Sequence, residues 1–148
     1  MGEFNADPRL SEIVRTMRWR VRPERLVLVG IDPRELPVVL RVIGGLIGRF
    51  WQLTVEPEVV TLALEERDWR AVSPAFPHAE IERTYRAISF EVDLPPDLVG
   101  FMALISGALA EAGVPLLAVS GFRRDHLLVR EADLERAEAA ISALVARA

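Results

Sequence analysis

The apolar positions of this chain follow two spacings in turn. Leu10, Ile13, Val14 and Met17 recur at helical intervals, and Asp7-Pro8 before them suits a helix start. In residues 18–22, Trp19 and Val21 alternate with arginines, the signature of a half-buried strand. Pro23-Glu24 reads as a turn, and residues 26–31 form an unbroken apolar run, as in a strand covered on both faces. Asp32-Pro33 opens a short helix over 35–43, which Gly44-Gly45 ends. Residues 50–55 and 59–64 read as a hairpin around Glu56-Pro57-Glu58. The stretch 65–81 is polar and holds Pro74 and Pro77, so it is expected to separate two halves.

The second half repeats the alternation more cleanly. Residues 85–92 form a strand, 93–97 a loop, and 98–112 a helix with Leu98, Met102, Ile105 and Leu109 on one face. Asp97 stands where it could cap that helix, and Gly113 where a left-handed C-terminal cap is needed. Strands over 115–120 and 126–129 follow, joined by a turn or bulge at 121–124. A helix over 132–146 comes last, with Leu134, Ala137, Ile141 and Leu144 on its stripe. The order β-α-β-β-α is one strand short of a βαββαβ module, and residues 18–22 are free to supply it. The first half has a similar element order. The expected segments are 1–17, a first half over 18–80, and a second domain over 81–148.

Composition narrows the function. The chain is 51% hydrophobic and 27% charged, as for a packed globular protein, and its net charge of −4 gives no reason to expect nucleic acid as a partner. It has no cysteine and only two histidines, His78 and His126, which excludes thiolate and histidine-rich metal sites. Residues 1–8 lack an apolar secretory stretch. The longest apolar run, 36–51, is too short and too charged to span a membrane, being broken by Arg41 and Arg49. Gly44, Gly45 and Gly48 lack phosphate-loop spacing. A soluble cytoplasmic protein without a cofactor is expected.

Residues 85–144 resemble the C-terminal ACT domain of small tandem-ACT proteins, which are related to the regulatory domains of aspartokinases and to arginine-sensor ACT proteins. The matching positions are Gly100 near the helix start, Glu111-Ala112-Gly113 at its end, Ser120, Asp125, Leu127-Leu128-Val129, Glu131 and Asp133-Leu134. The resemblance departs at the strand turn, where Gly121, Phe122, Arg123, Arg124 and His126 replace the commoner Thr, Tyr, Asp, Thr and Tyr. It implies an α+β fold of two ferredoxin-like ACT modules in tandem, with antiparallel sheets and helices on one face. It also implies small-molecule binding, of an amino acid by preference, in a regulatory or sensory homodimer without catalytic activity. A structural or interaction module with a vestigial cleft is the alternative, and a small enzyme ranks last.

The physical chemistry of the second half agrees with that implication. The loop holding Asp93, Leu94, Pro95 and Gly100 precedes a helix, whose free amides and dipole attract a carboxylate. The competing reading is that Asp97 caps the helix and Gly100 merely packs. Ser120, Gly121 and Phe122 sit at a strand end, where free amides can meet a ligand edge and Phe122 can cover an apolar side chain or lie in the core. Asp125 can take an amino group or simply guard a strand edge. Arg123 and Arg124 can favour an anion or form a solvated turn. Ser120, Asp125 and His126 have the residue types of a hydrolytic triad, but adjacent strand residues point to opposite faces. Trp19, Trp51 and Trp69 read as core or interface anchors.

Overall fold

The structure is a computed structural model that describes residues 7–148; residues 1–6, the polar start of the N-terminal segment, lie outside the described residues. The fold is α+β. The described chain divides into two compact units, one of residues 23–85 and one of 7–22 together with 86–148. Two long strands, β1 (Trp19–Ile31) and β4 (Glu80–Phe90), contribute to both. The expected turn at Pro23-Glu24 is absent, and β1 runs through it as 13 continuous residues. Pro23 is exposed at the division between units, a place where a strand tolerates a residue without an amide hydrogen.

In the unit of residues 23–85, β1 leads through a 3-10 turn (Pro33–Glu35) into α2 (Leu36–Val42). The hairpin β2 (Gln52–Val55) and β3 (Val60–Glu65) and the helix α3 (Glu66–Val72) follow. The strand order is β2-β3-β1-β4. Antiparallel register sets Val27 opposite Leu64, Val29 opposite Leu62 and Ile31 opposite Val60. All six side chains pack with Val39, Trp69 and Phe76 in one core, where the Trp69 and Phe76 rings stack at 6.2 Å. The polar stretch expected to separate two halves therefore lies within this unit, and its Trp69 and Phe76 belong to the core. Its charged residues hide that from a composition reading, because two of them are buried.

Those two, Glu65 and Asp68, are each only 3% exposed. A buried carboxylate is costly unless hydrogen-bonded, and the backbone of the preceding loop provides the donors. The Ile47 and Gly48 amides donate to the Asp68 carboxylate at 3.1 and 2.7 Å, and the Arg49 amide donates to Glu65 at 3.1 Å. Arg67 completes the set with an ion pair to Glu65 at 2.8 Å. The loop can close on the carboxylates only because residue 48 has no side chain: a Cβ there would lie 2.5 Å from Asp68 Oδ2. Trp51, expected as an anchor, is 42% exposed just beyond this loop.

In the other unit, α1 (Pro8–Thr16) is capped by Asp7, whose carboxylate accepts the Arg9 amide at 2.9 Å. The Arg9 side chain on the same carboxylate holds the Asp7 carboxyl down at about 2. The strand order is β1-β4-β6-β5, with β5 (Leu117–Ser120) and β6 (Asp125–Arg130) antiparallel. The start of β1 lies against β4: the Glu91 amide donates to the Arg18 carbonyl at 2.7 Å, and Arg20 pairs with Glu91 at 3.3 Å. The helices α4 (Phe101–Glu111) and α5 (Leu134–Arg147) join α1 over Ile88, Phe90, Leu127 and Val129 of the sheet. Gly113, at φ +68, ends α4: its amide donates to Ala110 at 3.0 Å and that of Val114 to Leu109 at 2.9 Å. This is the paired C-terminal bonding that a left-handed residue permits.

Two glycines in these units are therefore required for different reasons. Gly48→Ala should lower the unfolding free energy by about 1–3 kcal/mol, the usual range for forcing a methyl group into filled space. Gly113→Ala meets nothing within 4 Å and should cost about 1 kcal/mol, from the left-handed backbone alone. Urea titration of both variants tests this, and a Gly48→Ala protein as stable as the parent would refute the account of the loop.

Candidate functional site

The first turn of α4 is the centre of the site, and one aromatic contact fixes its place. Phe101, the first residue of α4, meets Phe90 of β4 edge-on, with ring centroids 5.3 Å apart and an interplanar angle of 90°. Such edge-to-face pairs add about 0.5–1.5 kcal/mol to the burial of the rings, and both residues are in the core. The helix thus starts at 101, three residues later than the spacing predicts. Gly100 occupies the capping position at φ +100, and no side chain bonds the helix start.

The expected cap, Asp97, lies outside the helix and pairs with Arg9 of α1 at 3.1 Å. The first intrahelical bond runs from the Leu104 amide to the Gly100 carbonyl at 3.0 Å. The amides of Phe101, Met102 and Ala103 precede it, so they have no partner inside the helix.

These residues line an open cavity of about 450 Å³. Of the residues expected at a ligand site, Leu94, Pro95, Gly100, Ser120, Gly121, Phe122 and Asp125 line it, and Asp93 does not. Strand register brings the two sequence segments together. Ser120 and Asp125 are opposite each other across β5 and β6, and share the sheet face of Leu127, which is the helix-covered face. The Leu94 amide donates to the Arg123 carbonyl at 3.2 Å, tying the loop to the strand turn. Asp93 pairs with Arg124 at 3.6 Å, and the Gly121 amide donates to the Arg124 carbonyl at 2.9 Å. The amides of Leu94 and Gly121 are thus used by the protein, while no side chain caps the start of α4.

Arg123 and Arg124 also line the cavity, as do Pro96, Leu98, Phe101, Met102 and Ala103. Met102 and Ala103 were missed as site residues because a helix read from 98 buries their amides in its interior; reading Gly100 as the cap would have exposed them. Phe122 is 99% exposed, so of its two readings the one that puts it in the core does not hold. His126 faces away from Ser120 and Asp125 and bonds Ser89 of β4 through Nδ1 at 2.8 Å; the three triad residue types do not converge.

The unit of residues 23–85 has a cavity of about 430 Å³, again between a strand end, the start of the next helical turn and a hairpin turn. Its lining differs in charge: Asp32, Glu35, Glu58 and Glu80 stand around it with His78. Asp32 itself caps the turn, accepting the Arg34 amide at 2.9 Å, and the Arg34 side chain holds its carboxyl at about 2. A protein carboxylate already occupies this helix start. Among the described residues, no group of three or more His, Cys, Asp or Glu could hold a metal ion, and no helix is long and apolar enough to cross a membrane.

Comparison with known proteins finds likenesses over part of the sequence and over the fold. Residues 80–143 match the model of the ACT domain, and the fold of the chain is similar to that of aspartate kinase regulatory domains. A Vibrio cholerae protein of unknown function, described as a possible transport protein, is similar at 21% identity with a TM-score of 0.69, covering 92% of this chain and 95% of its own. The regulatory subunit of Thermus thermophilus aspartate kinase, in a ligand-free form, matches at 14% identity and a TM-score of 0.65, covering 85% of this chain and 95% of its own. The aspartate kinase of Clostridium acetobutylicum matches at 13% identity and a TM-score of 0.69; 89% of this chain covers 34% of that enzyme. Comparison with curated proteins gives no match.

The left-handed cap carries a prediction. An added Cβ at Gly100 would lie 3.1 Å from Leu10 Cδ2 at a φ that side chains rarely adopt. Gly100→Ala should therefore cost about 1–2 kcal/mol of stability, and a β-branched residue there more. Phe122→Ala, with the ring fully exposed, should change stability by less than about 0.5 kcal/mol. Thermal or urea unfolding distinguishes them, and a marked loss in the Phe122 variant would show that the ring is packed in solution.

Proposed function

We propose that this protein is a small-molecule-binding regulatory or sensory protein without a catalytic step, built of two ACT-like modules in tandem, and that an amino acid binds beside α4. The observation that carries the reading is the uncapped start of α4. The three residues that open the helix, Phe101, Met102 and Ala103, line a cavity of about 450 Å³, and no side chain caps their amides; a helix start of this kind attracts a carboxylate. Across the cavity Asp125 offers an anionic acceptor for an ammonium group, with the Ser120 hydroxyl beside it. The tandem reading is supported by the corresponding cavity of the other unit, which repeats the strand-loop-helix and hairpin-turn setting. Its acidic lining and resident Asp32 cap argue against a carboxylate ligand there. Assembly as a homodimer, the commonest closed oligomer, is the companion proposal, supported by Val99, an apolar residue 60% exposed near the cavity.

A thermal-shift screen of the twenty amino acids tests the ligand, because a molecule that binds only the folded state raises its stability by mass action. At least one amino acid should raise the melting temperature. Asp125→Asn should weaken that ligand by about 1–3 kcal/mol, the scale of a hydrogen bond to a charged group. If every amino acid leaves the melting temperature unchanged, or the variant binds as tightly as the parent, the reading of this cavity fails. Light scattering should give twice the 16.5 kDa chain mass at micromolar concentration, and a monomer mass would overturn the dimer.

A further inference from the structure

On the sheet face opposite the helices, three strands of one unit meet in a small polar chain. Arg22 of β1 donates through Nε to the Ser89 hydroxyl of β4 at 2.9 Å, and that hydroxyl lies 2.8 Å from Nδ1 of His126 on β6. Ser89 is only 3% exposed. The donor inventory fixes the direction of the Arg22 bond and leaves that of the His126 bond to the tautomer. A guanidinium can only donate, so the serine oxygen accepts from Arg22 and has one hydrogen to give. Given to His126, it selects the neutral imidazole with its proton on Nε2. That nitrogen stands behind the turn, on the side away from the cavity: it lies 3.6 Å from where a Cβ of Gly121 would stand. Gly121 in turn closes the turn of residues 121–124 by its bond to the Arg124 carbonyl, and the next residue after that turn is Asp125.

We propose that His126 is a proton-sensitive positioning residue for the cavity wall: neutral, it accepts the Ser89 hydroxyl and supports the turn at Gly121, and protonated, it gives up that bond and lets the turn rearrange. Protonation would place two cationic donors, Arg22 and His126, on one buried hydroxyl and leave its hydrogen to find another acceptor. The charged groups around the ring are Arg22 from β1, with Arg124 and Asp125 from its own turn and strand. From β4 it meets Ser89, and from β5 Val119 lies opposite in register. Burial, then Arg22, pushes the imidazole below its ordinary 6.5, and Asp125 opposes them. The sign follows by linkage. The folded state binds the proton less readily than the unfolded chain, so this contribution to stability is full above pH 6.5 and lost as pH falls through the lower folded value.

The inference rests on the proposed ligand site only for its consequence, weaker binding in acid; the switch itself can be tested without ligand. In an NMR titration of the whole protein, the His126 ring should show its proton on Nε2 at neutral pH and titrate below 6.5. The amide signals of Gly121 and Phe122 should move with the same midpoint. In His126→Gln these amides should cease to titrate in that range, while Ser89→Ala should raise the His126 midpoint toward 6.5, since it removes the donor to the neutral ring. Turn amides that ignore the His126 midpoint, or a neutral ring protonated on Nδ1, would overturn the proposal whether or not an amino acid binds.

Discussion

The edge-to-face contact of Phe90 with Phe101 is the constraint on which the site depends. It joins the last residue of β4 to the first residue of α4, so the chain between them must loop out and re-enter the helix at one fixed point. Re-entry at that point requires the left-handed backbone of Gly100. A glycine cap contributes no side-chain oxygen, so the first amides of α4 are left without a side-chain cap. The buried aromatic pair, the backbone strain relieved by glycine and the uncapped donors are successive consequences of one packing decision.

The two cavities show how the same setting takes opposite electrostatic character. Each lies where a strand ends, a helical turn begins and a hairpin turn approaches. In one, Asp32 satisfies the helix start from within and further carboxylates surround it. In the other, Gly100 leaves the start open, and Arg123 and Arg124 stand on the turn. The difference comes from a few residues, not from the backbone course. Buried carboxylates in the unit of residues 23–85 serve another purpose: Glu65 and Asp68 bind the amides of a loop as an external anion would, and hold that loop to α3.

Some features were legible in the sequence because they depend on near neighbours. Period-two and period-3.6 patterns locate most strands and helices to within a few residues, and Gly113 after Ala112 marks a helix end because only a left-handed residue completes the bonding there. The segments containing Leu94, Gly100, Ser120 and Asp125 could be named for their loop and strand-end chemistry. Asp97 and Pro23 show the limit. An aspartate before a helical stripe and a proline-acid pair have strong local meanings, but Asp97 pairs instead with Arg9 and Pro23 sits in a continuous strand. The burial of Glu65 and Asp68 was illegible for the same reason: their partners are amides some twenty residues away, and a polar stretch reads as solvated until those donors are placed.

By itself, then, the sequence determined the α+β class, the alternation of elements, the absence of thiolate chemistry and the glycine-dependent turns, since these follow from composition and from contacts within a few residues. Tertiary structure decided where α4 begins, which amides go uncapped, that Ser120 and Asp125 face one cavity while His126 turns to Ser89, and that Phe122 lies in solvent. Each depends on strand order and register, which bring residues distant in the chain to within a few ångströms. No local pattern encodes that distance.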